Sequence, residues 1–261
     1  MKKAIRRKKI MEVIQEHPIT TPSNLASIFG VSIETIRNDL NYLEEMGWVI
    51  KVHGGVAPAM QRGAEVPYDK RETVNIFEKK QIAKEALKLI KPGDSIALGT
   101  GTTVEELAKL LVNRQEVTII TPSINIANIF ANDQKSRVFL IGGWLRKEDM
   151  ILYGSYSLDM IRNFYVDKCF VSSAGVSSKY GVTDYFEGEV EVVKELINIS
   201  KEAYLLADNS KFGNVALLSI APANTFDAII TDDKSSVEEI KKLRKSNIDI
   251  IVVNNDRQGD E

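Results

Sequence analysis

Apolar residues near the start of the chain fall at helical spacing, with Ile5, Ile10, Val13 and Ile14 lining one side of a segment from about Ala4 to Glu16. Pro18, in "HPITTPSN", cannot continue that helix. Thr21 followed by Pro22 is a cap and first-turn pair, which predicts a short helix through Leu25, Ala26 and Phe29. Gly30 then supplies a reversal and Ser32 a second cap. In the next helix Ile33, Ile36, Leu40 and Leu43 share one side. Glu34, Thr35, Asn38, Asn41 and Tyr42 lie opposite, with Arg37 and Asp39 on the flanks. Beyond Gly47, "WVIKVHGGVAP" has the β-rich composition and Gly-Gly turn of a small hairpin. Three helices and a hairpin in so short a stretch describe a winged helix-turn-helix over residues 1–57.

Periodicity is lost over 58–75, "PAMQRGAEVPYDKRETVN", a Pro-, Gly- and charge-rich stretch that reads as a linker that partly docks. From residue 76 the pattern alternates. Helices are predicted near Glu78–Ile90, Val104–Leu111, Ile124–Ala131, Glu189–Ile199 and Val237–Lys245. Strands are predicted at Ser95–Leu98 and Val117–Thr121, at "RVFLIGG" (read as a buried strand), and within "KCFVSSAG", "EAYLLAD", "FDAIITDD" and "IDIIVVN". Alternation of this kind means an α/β domain over 76–261 with a largely parallel sheet. The chain is therefore expected to be a small winged helix-turn-helix followed by a larger α/β domain.

Composition narrows the class. A hydrophobic fraction of 44% and a charged fraction of 27% are those of a soluble globular protein. No apolar run approaches a bilayer span, so no membrane partner is expected. The basic start lacks the apolar core and cleavage site of a secretory signal, and one cysteine, Cys169, excludes an internal disulfide; both fit a cytoplasmic protein. The net charge of −2 hides an asymmetry, because residues 1–60 carry +2 and the remainder −4. Lys2, Lys3, Arg6, Arg7, Lys8 and Lys9 crowd the N-terminus, a basic arm suited to a polyanion.

The outward side of the third helix then acquires a chemical meaning. Arginine pairs with guanine and asparagine with adenine in a major groove, so Arg37, Asn38 and Asn41 are candidate base readers, with Ser32, Glu34 and Thr35 beside them. Lys3, Arg6, Arg7 and the hairpin's His53 are candidate backbone contacts. Asp39 is repelled by phosphate and is read as an internal partner for Arg37 or for a basic residue of the first helix. Arg6, Ile10 and Ile14, then Ser32, Thr35, Ile36, Arg37, Asn38, Asp39 and Leu40, follow the spacing of the DeoR-family helix-turn-helix, and "HGGV" at 53–56 resembles that family's wing. Most members have a second arginine where this chain has Asn38, which implies a different operator preference. The segment Glu65, Pro67, Tyr68, Arg71 is also similar to the family's. With His17 and His53 the only histidines, a histidine-based metal site is not expected.

In open α/β sheets ligands sit at the carboxyl ends of strands. "GTGTT" follows the first predicted strand and opens a helix, so Gly99, Thr100, Gly101, Thr102 and Thr103 are candidate anion ligands through backbone N–H groups, hydroxyls and the helix N-terminus. It is neither a Walker motif nor a dinucleotide fingerprint. Thr121, Ser123 and Asn125 follow the second strand, Gly142, Gly143 and Arg146 the third, and Asp184, Asp208 and Lys211 end or follow later ones. Phosphate ligands at one end and hydroxyl-reading groups at the other suit a phosphorylated sugar. "GDSIALGTGTT", "GG" with a downstream Arg, "GVT" and "DNSKFG" resemble the DeoR-family effector domain in order, a fold similar to ribose-5-phosphate isomerase. The family usually has an acidic residue at Gly99, so one sugar-hydroxyl contact is expected to be missing.

The resemblance implies a transcriptional regulator, usually a repressor, with operator DNA and a sugar-phosphate effector as partners and no cofactor. The rival is a sugar-phosphate isomerase with a DNA-binding appendage. "SSAGVSS", Ser172 to Ser178, offers no acidic base, and residues 76–261 contain no histidine, so no enzymatic activity is expected. A single winged helix covers one half-site, so a homo-oligomer, dimer or tetramer, is expected. Its assembly surface is placed on apolar helices of the α/β domain such as "EKKQIAKEALKLI".

Overall fold

The computed structural model describes residues 3–16, 20–45, 48–52, 55–58, 65–114 and 116–254. The chain divides into two compact units, Met1–Val74 and Asn75–Glu261.

The first unit contains α1 (Lys3–Glu16), α2 (Pro22–Phe29), α3 (Ile33–Glu45), the antiparallel pair β1 (Val49–Val52) and β2 (Gly55–Pro58), and α4 (Tyr68–Thr73). Thr21 caps α2 by accepting from the Asn24 N–H, Pro22 occupies its first turn, and Gly30 ends it in a left-handed conformation, φ +61°. Thr20 exchanges two backbone hydrogen bonds of 2.9 Å with Val56, which ties β2 to the segment before α2. Ile10, Ile14, Leu25, Ile36, Leu40, Leu43, Val49 and Val56 form the core. Two residues of the expected stripes stay outside it. Ile5 and Ile33 are 50% and 43% exposed, because each sits in the first turn of its helix, ahead of the stretch that packs. The predicted linker is more ordered than its composition signals: α4 forms within it, and Lys70 Nζ donates to the Glu44 carbonyl of α3 at 3.3 Å.

The second unit contains α5 (Ile76–Leu87), β3 (Ser95–Leu98), α6 (Thr102–Leu111), β4 (Thr118–Thr121), α7 (Ile124–Ile129), β5 (Arg137–Leu140), β6 (Trp144–Arg146), β7 (Ile151–Tyr153), α8 (Ser155–Ile161), β8 (Val166–Val171), β9 (Gly175–Ser177), β10 (Gly181–Asp184), α9 (Glu187–Asn198), β11 (Ser200–Leu206), β12 (Leu218–Ala221), β13 (Ala228–Asp232), α10 (Val237–Lys245) and β14 (Ile250–Val253). Seven parallel strands pair in the order β14-β13-β11-β8-β3-β4-β5. Alternate residues feed two cores, as strand geometry requires. Ile96, Leu98, Phe170, Tyr204 and Leu206 pack with α5, α6 and α7, while Ala97, Cys169, Val171 and Leu205 pack with α8, α9 and α10. Phe170 and Tyr204 stack at 5.2 Å.

Three features differ from the expectation. The "RVFL" strand, β5, is an edge strand exposed along its length rather than a buried one. The hairpin β6–β7, helix α8 and an antiparallel sheet β12-β10-β9 interrupt the α/β alternation. Helix α5, expected as an assembly surface, turns Ile82, Ala83 and Ala86 into the core.

Candidate DNA interface and effector pocket

Helix α3 presents Glu34, Arg37, Asn38 and Asn41 as exposed residues on one side, while Ile36, Asp39, Leu40 and Leu43 are buried. Its start is fixed by Ser32, whose Oγ accepts from the Thr35 N–H at 3.2 Å and bonds Thr35 Oγ1 at 2.9 Å. Asp39 is fully buried and takes Arg6 Nε at 2.6 Å and Arg7 Nε at 2.9 Å. The Arg7 guanidinium also lies 3.5 Å from the centre of the Tyr42 ring. The sequence reading left Asp39 a choice between Arg37 and the first helix; the structure pairs it with the first helix. Arg37 therefore stays on the outward side, and Arg6 and Arg7, expected as backbone contacts, are drawn inward as a clamp between α1 and α3. Lys3 is exposed on α1. His53 lies outside the described residues.

In the second unit Gly99 to Thr103, Thr121, Ser123, Asp208 and Lys211 lie at or after the carboxyl ends of the parallel strands β3, β4 and β11, whereas Arg146 lies on the β6–β7 hairpin and Asp184 ends β10 of the antiparallel sheet. Gly99 follows β3, and its backbone leaves no room for a side chain, because a Cβ would meet Val171 Cγ1 at 2.8 Å. Gly101, at φ +104°, makes the turn that starts α6, and a Cβ there would strike Ser172 Oγ. Thr102 and Thr103 form the first turn of α6 and are buried. Thr100 is buried as well, its hydroxyl donating to Glu189 of α9 and its carbonyl accepting from Ser172 Oγ at 2.9 Å.

The hairpin β6–β7 carries Arg146 back over these loops. It is anchored on the turn after β4, where Leu152 N–H donates to the Pro122 carbonyl and Ile124 N–H to the Met150 carbonyl. Arg146 Nη1 lies 3.3 Å from Asp149 and 3.6 Å from Glu189, and its guanidinium is 4.5 Å from the centre of the Phe186 ring. Gly143 serves the hairpin itself, since a Cβ would collide with Tyr153 O and Ser157 Oγ. Thr121 and Ser123 shape the turn: Thr121 Oγ1 accepts from the Ser123 N–H, and Ser123 caps α7.

Asp184 and Asp208 are held by partners both near and far in the chain. Asp184 accepts from the Ala174 and Tyr185 N–H groups at 3.0 and 2.7 Å. Asp208 accepts from the Ser210 N–H and from Asn75 Nδ2 at 2.9 and 2.7 Å. Burial alone would raise the Asp208 carboxyl. The Lys211 ammonium, the bond from Ser210, Lys79 and Asn75 outweigh it and hold its pKa below the usual 3.8. Asp208 and Lys211 thus form one charged group with Asn75 and Lys79, and Thr100, Glu189 and Arg146 form another.

Sequence reasoning missed Glu189, Ser172 and Phe186; Asn125, offered after the second predicted strand, donates its Nδ2 to the buried Glu105 at 3.2 Å. Glu189 is disguised, because "EGEVEV" reads as the acidic first turn of an amphipathic helix.

Comparison with known proteins gives a consistent result. Residues 6–62 match the family model described as DeoR-like helix-turn-helix domain, and residues 74–233 match the DeoR C terminal sensor domain. An uncharacterized HTH-type transcriptional regulator, YulB of Bacillus subtilis, is 32% identical over 98% of this chain and 99% of its own. The HTH-type transcriptional repressor GlcR of the same organism is 31% identical over 96% of each. The glycerol-3-phosphate regulon repressor of Escherichia coli is 30% identical over 96% of this chain and 99% of its own. Among solved structures, ribose 5-phosphate isomerase A of Methanocaldococcus jannaschii is 23% identical, covers 51% of this chain and 53% of its own, and has a TM-score of 0.39. Among the described residues no helix is long and apolar enough to cross a membrane.

Proposed function

The chain belongs to the DeoR family of DNA-binding transcriptional regulators, and on that premise we propose that it represses a carbohydrate-utilisation operon and is released by a phosphorylated sugar or polyol. The relative that regulates the glycerol-3-phosphate regulon supports a phosphorylated polyol class for the effector. The observation that carries the reading is the "GTGTT" turn: Gly101 opens α6 so that backbone N–H groups and buried threonines converge at a helix N-terminus, a seat for an anion. The phosphate sits on that turn with Lys211 contributing charge, and the Arg146–Glu189 pair reads hydroxyls, Arg146 donating and Glu189 accepting.

On the DNA side, Arg37, Asn38 and Asn41 read bases with Glu34 and Thr35 at the entry of α3, and Lys3 and His53 contact the backbone. Two copies of the chain, one per half-site, give the affinity that one winged helix lacks. Control is a population shift, in which the effector binds the DNA-releasing arrangement better than the DNA-competent one.

The test is a gel-shift titration against the DNA upstream of the chain's own gene, repeated with a panel of phosphorylated sugars and their unphosphorylated parents. Release by one phosphorylated compound and not its parent is expected. Absence of any sequence-selective complex would defeat the operator reading. Release by parents alone would defeat the phosphate assignment.

A further inference from the structure

The two edges of the seven-stranded sheet are built differently. At one, β14 has residues that are buried or half-buried. At the other, Val138, Phe139 and Leu140 of β5 are 37%, 41% and 39% exposed. Among the described residues, strand β5 pairs with β4 on one side and with no strand on the other. Natural sheets blunt such edges with charge, proline or a bulge. Here "RVFL" carries its one charge at the first position, and its register with β4 is regular from Arg137 to Leu140.

Further exposed apolar residues follow β5 in the chain or adjoin its ring contact. The Phe139 ring packs edge-on against Phe164 at 4.8 Å, and Tyr165, next in the chain, is 89% exposed. The turn after β5 leads directly into β6, where Trp144 is 68% and Leu145 41% exposed. At ~150 to 250 Å² for each large side chain, the six residues expose on the order of 600 Å². A stable interface buries about 800 Å² per partner, rim included. The exposed apolar area is thus about three-quarters of one partner's share of such an interface.

We propose that this edge is where a second copy of the chain docks, its β5 adding antiparallel to this β5 across a twofold axis. Symmetry and charge select that geometry. A twofold contact brings identical patches together, and running the strands antiparallel keeps the two Arg137 side chains at opposite ends, where a parallel pairing would stack them. Paired backbone groups give the register, and Val138 and Leu140 on one face and Phe139 on the other meet their counterparts. The inference rests on the two-copy part of the proposed function and names the surface that supplies it.

The test uses the full chain in sedimentation and light scattering at micromolar concentration. Wild type is expected to self-associate, and Leu140→Lys and the pair Trp144→Lys with Tyr165→Lys are each expected to weaken association by roughly thirty-fold or more. Circular dichroism checks that each variant is folded. A scan with single cysteines at 138, 139 and 140 gives an independent readout, because Cys169, the chain's own cysteine, is buried. A disulfide-linked dimer concentrated at one of the three positions supports the twofold. An oligomeric wild type with unaffected variants and no cross-link overturns the surface, whatever its DNA binding. A monomeric wild type overturns the self-association, while the gel-shift with operator still decides the DNA-binding reading separately. Should Leu140→Lys not fold, the other variant and the cysteine scan decide.

Discussion

Asp39→Ala is the perturbation whose cost the structure sets most directly. The carboxylate is buried and accepts from Arg6 and Arg7 at 2.6 and 2.9 Å, and those two side chains are only 11% and 14% exposed. Removing it leaves two guanidinium groups beside each other, largely out of water, with no counter-charge from Asp39. Breaking such a pair by deleting one partner costs about 3 to 5 kcal/mol, against a total of ~4 to 11 kcal/mol for a unit of this size. About half the stability of the DNA-binding unit is expected to go. Trp48 and Trp144 are the chain's two tryptophans, so in a Trp144→Phe background Trp48 fluorescence follows the first unit through a urea titration. With a slope of ~1 to 2 kcal/mol per M, the midpoint should fall by about 1.5 M or more. Asp39→Asn, which keeps the shape and one acceptor, should fall between wild type and alanine. A shift under about 0.5 M for alanine would mean that the pair behaves as a solvated surface bridge worth ~0 to 1 kcal/mol, and the clamp argument would be refuted.

Arg37→Ala is expected to lower operator affinity by ~1 to 3 kcal/mol in a gel-shift titration without moving the unfolding midpoint, since the residue is exposed; unchanged affinity would remove it from base reading. Lys211→Ala and Thr102→Ala should each weaken a phosphorylated effector more than its parent sugar in calorimetry, and equal losses for both ligands would contradict a phosphate role. Asp208 gives a pH prediction. Its folded-state pKa lies below the unfolded value, so its stabilisation is present above that value and is lost as pH falls through the folded one. Thermal melts should therefore show Asp208→Asn below wild type at neutral pH and the gap closing on the acid side of about pH 4; a constant gap across that range would contradict it.

Most of the fold was legible because its signals are local. Caps and breakers such as Thr21, Pro22 and Gly30 set helix ends through neighbouring atoms, and the strands that feed the two cores are short apolar runs whatever their partners. What was missed depends on position in the sheet. "RVFLIGG" has the composition of a central strand, and only strand order makes β5 an edge. The hairpin that delivers Arg146 has an exposed Trp144 and no alternating polarity to announce it. Most candidate ligands were found where they follow a parallel strand, because the rule that places ligands at strand ends needs only strand positions; Ser172, directly after β8, is the exception. Glu189 comes from a helix beyond the strand–loop boundary, and its pairing with Thr100 spans 89 residues. No spacing rule reaches that far. Asp39 shows the intermediate case: chemistry said that it needs an internal cation, and packing chose which.

The charges around Arg146 bear on what the proposed effector must look like. One guanidinium faces Asp149 and Glu189, with Glu148 at 3.9 Å from its Nε, so the local balance is already negative before any ligand arrives. A phosphate placed against Arg146 would meet carboxylates at close range, and like charges in a partly buried site are strongly unfavourable. The "GTGTT" turn meets Glu189 through the Thr100 hydroxyl, while its backbone N–H groups at the N-terminal end of α6 favour negative charge. The two ends of the proposed effector site therefore ask for different chemistry: an anion at the turn and neutral hydroxyls at the Arg146–Glu189 pair. A free phosphate satisfies one end and a free sugar the other. Only a molecule that carries both at a fixed separation engages both ends at once, and a ligand shifts a conformational equilibrium by no more than its differential affinity for the two states. On the proposed reading, specificity for the phosphorylated compound and the strength of the regulatory response have the same origin, a ligand that engages the turn and the Arg146–Glu189 pair together.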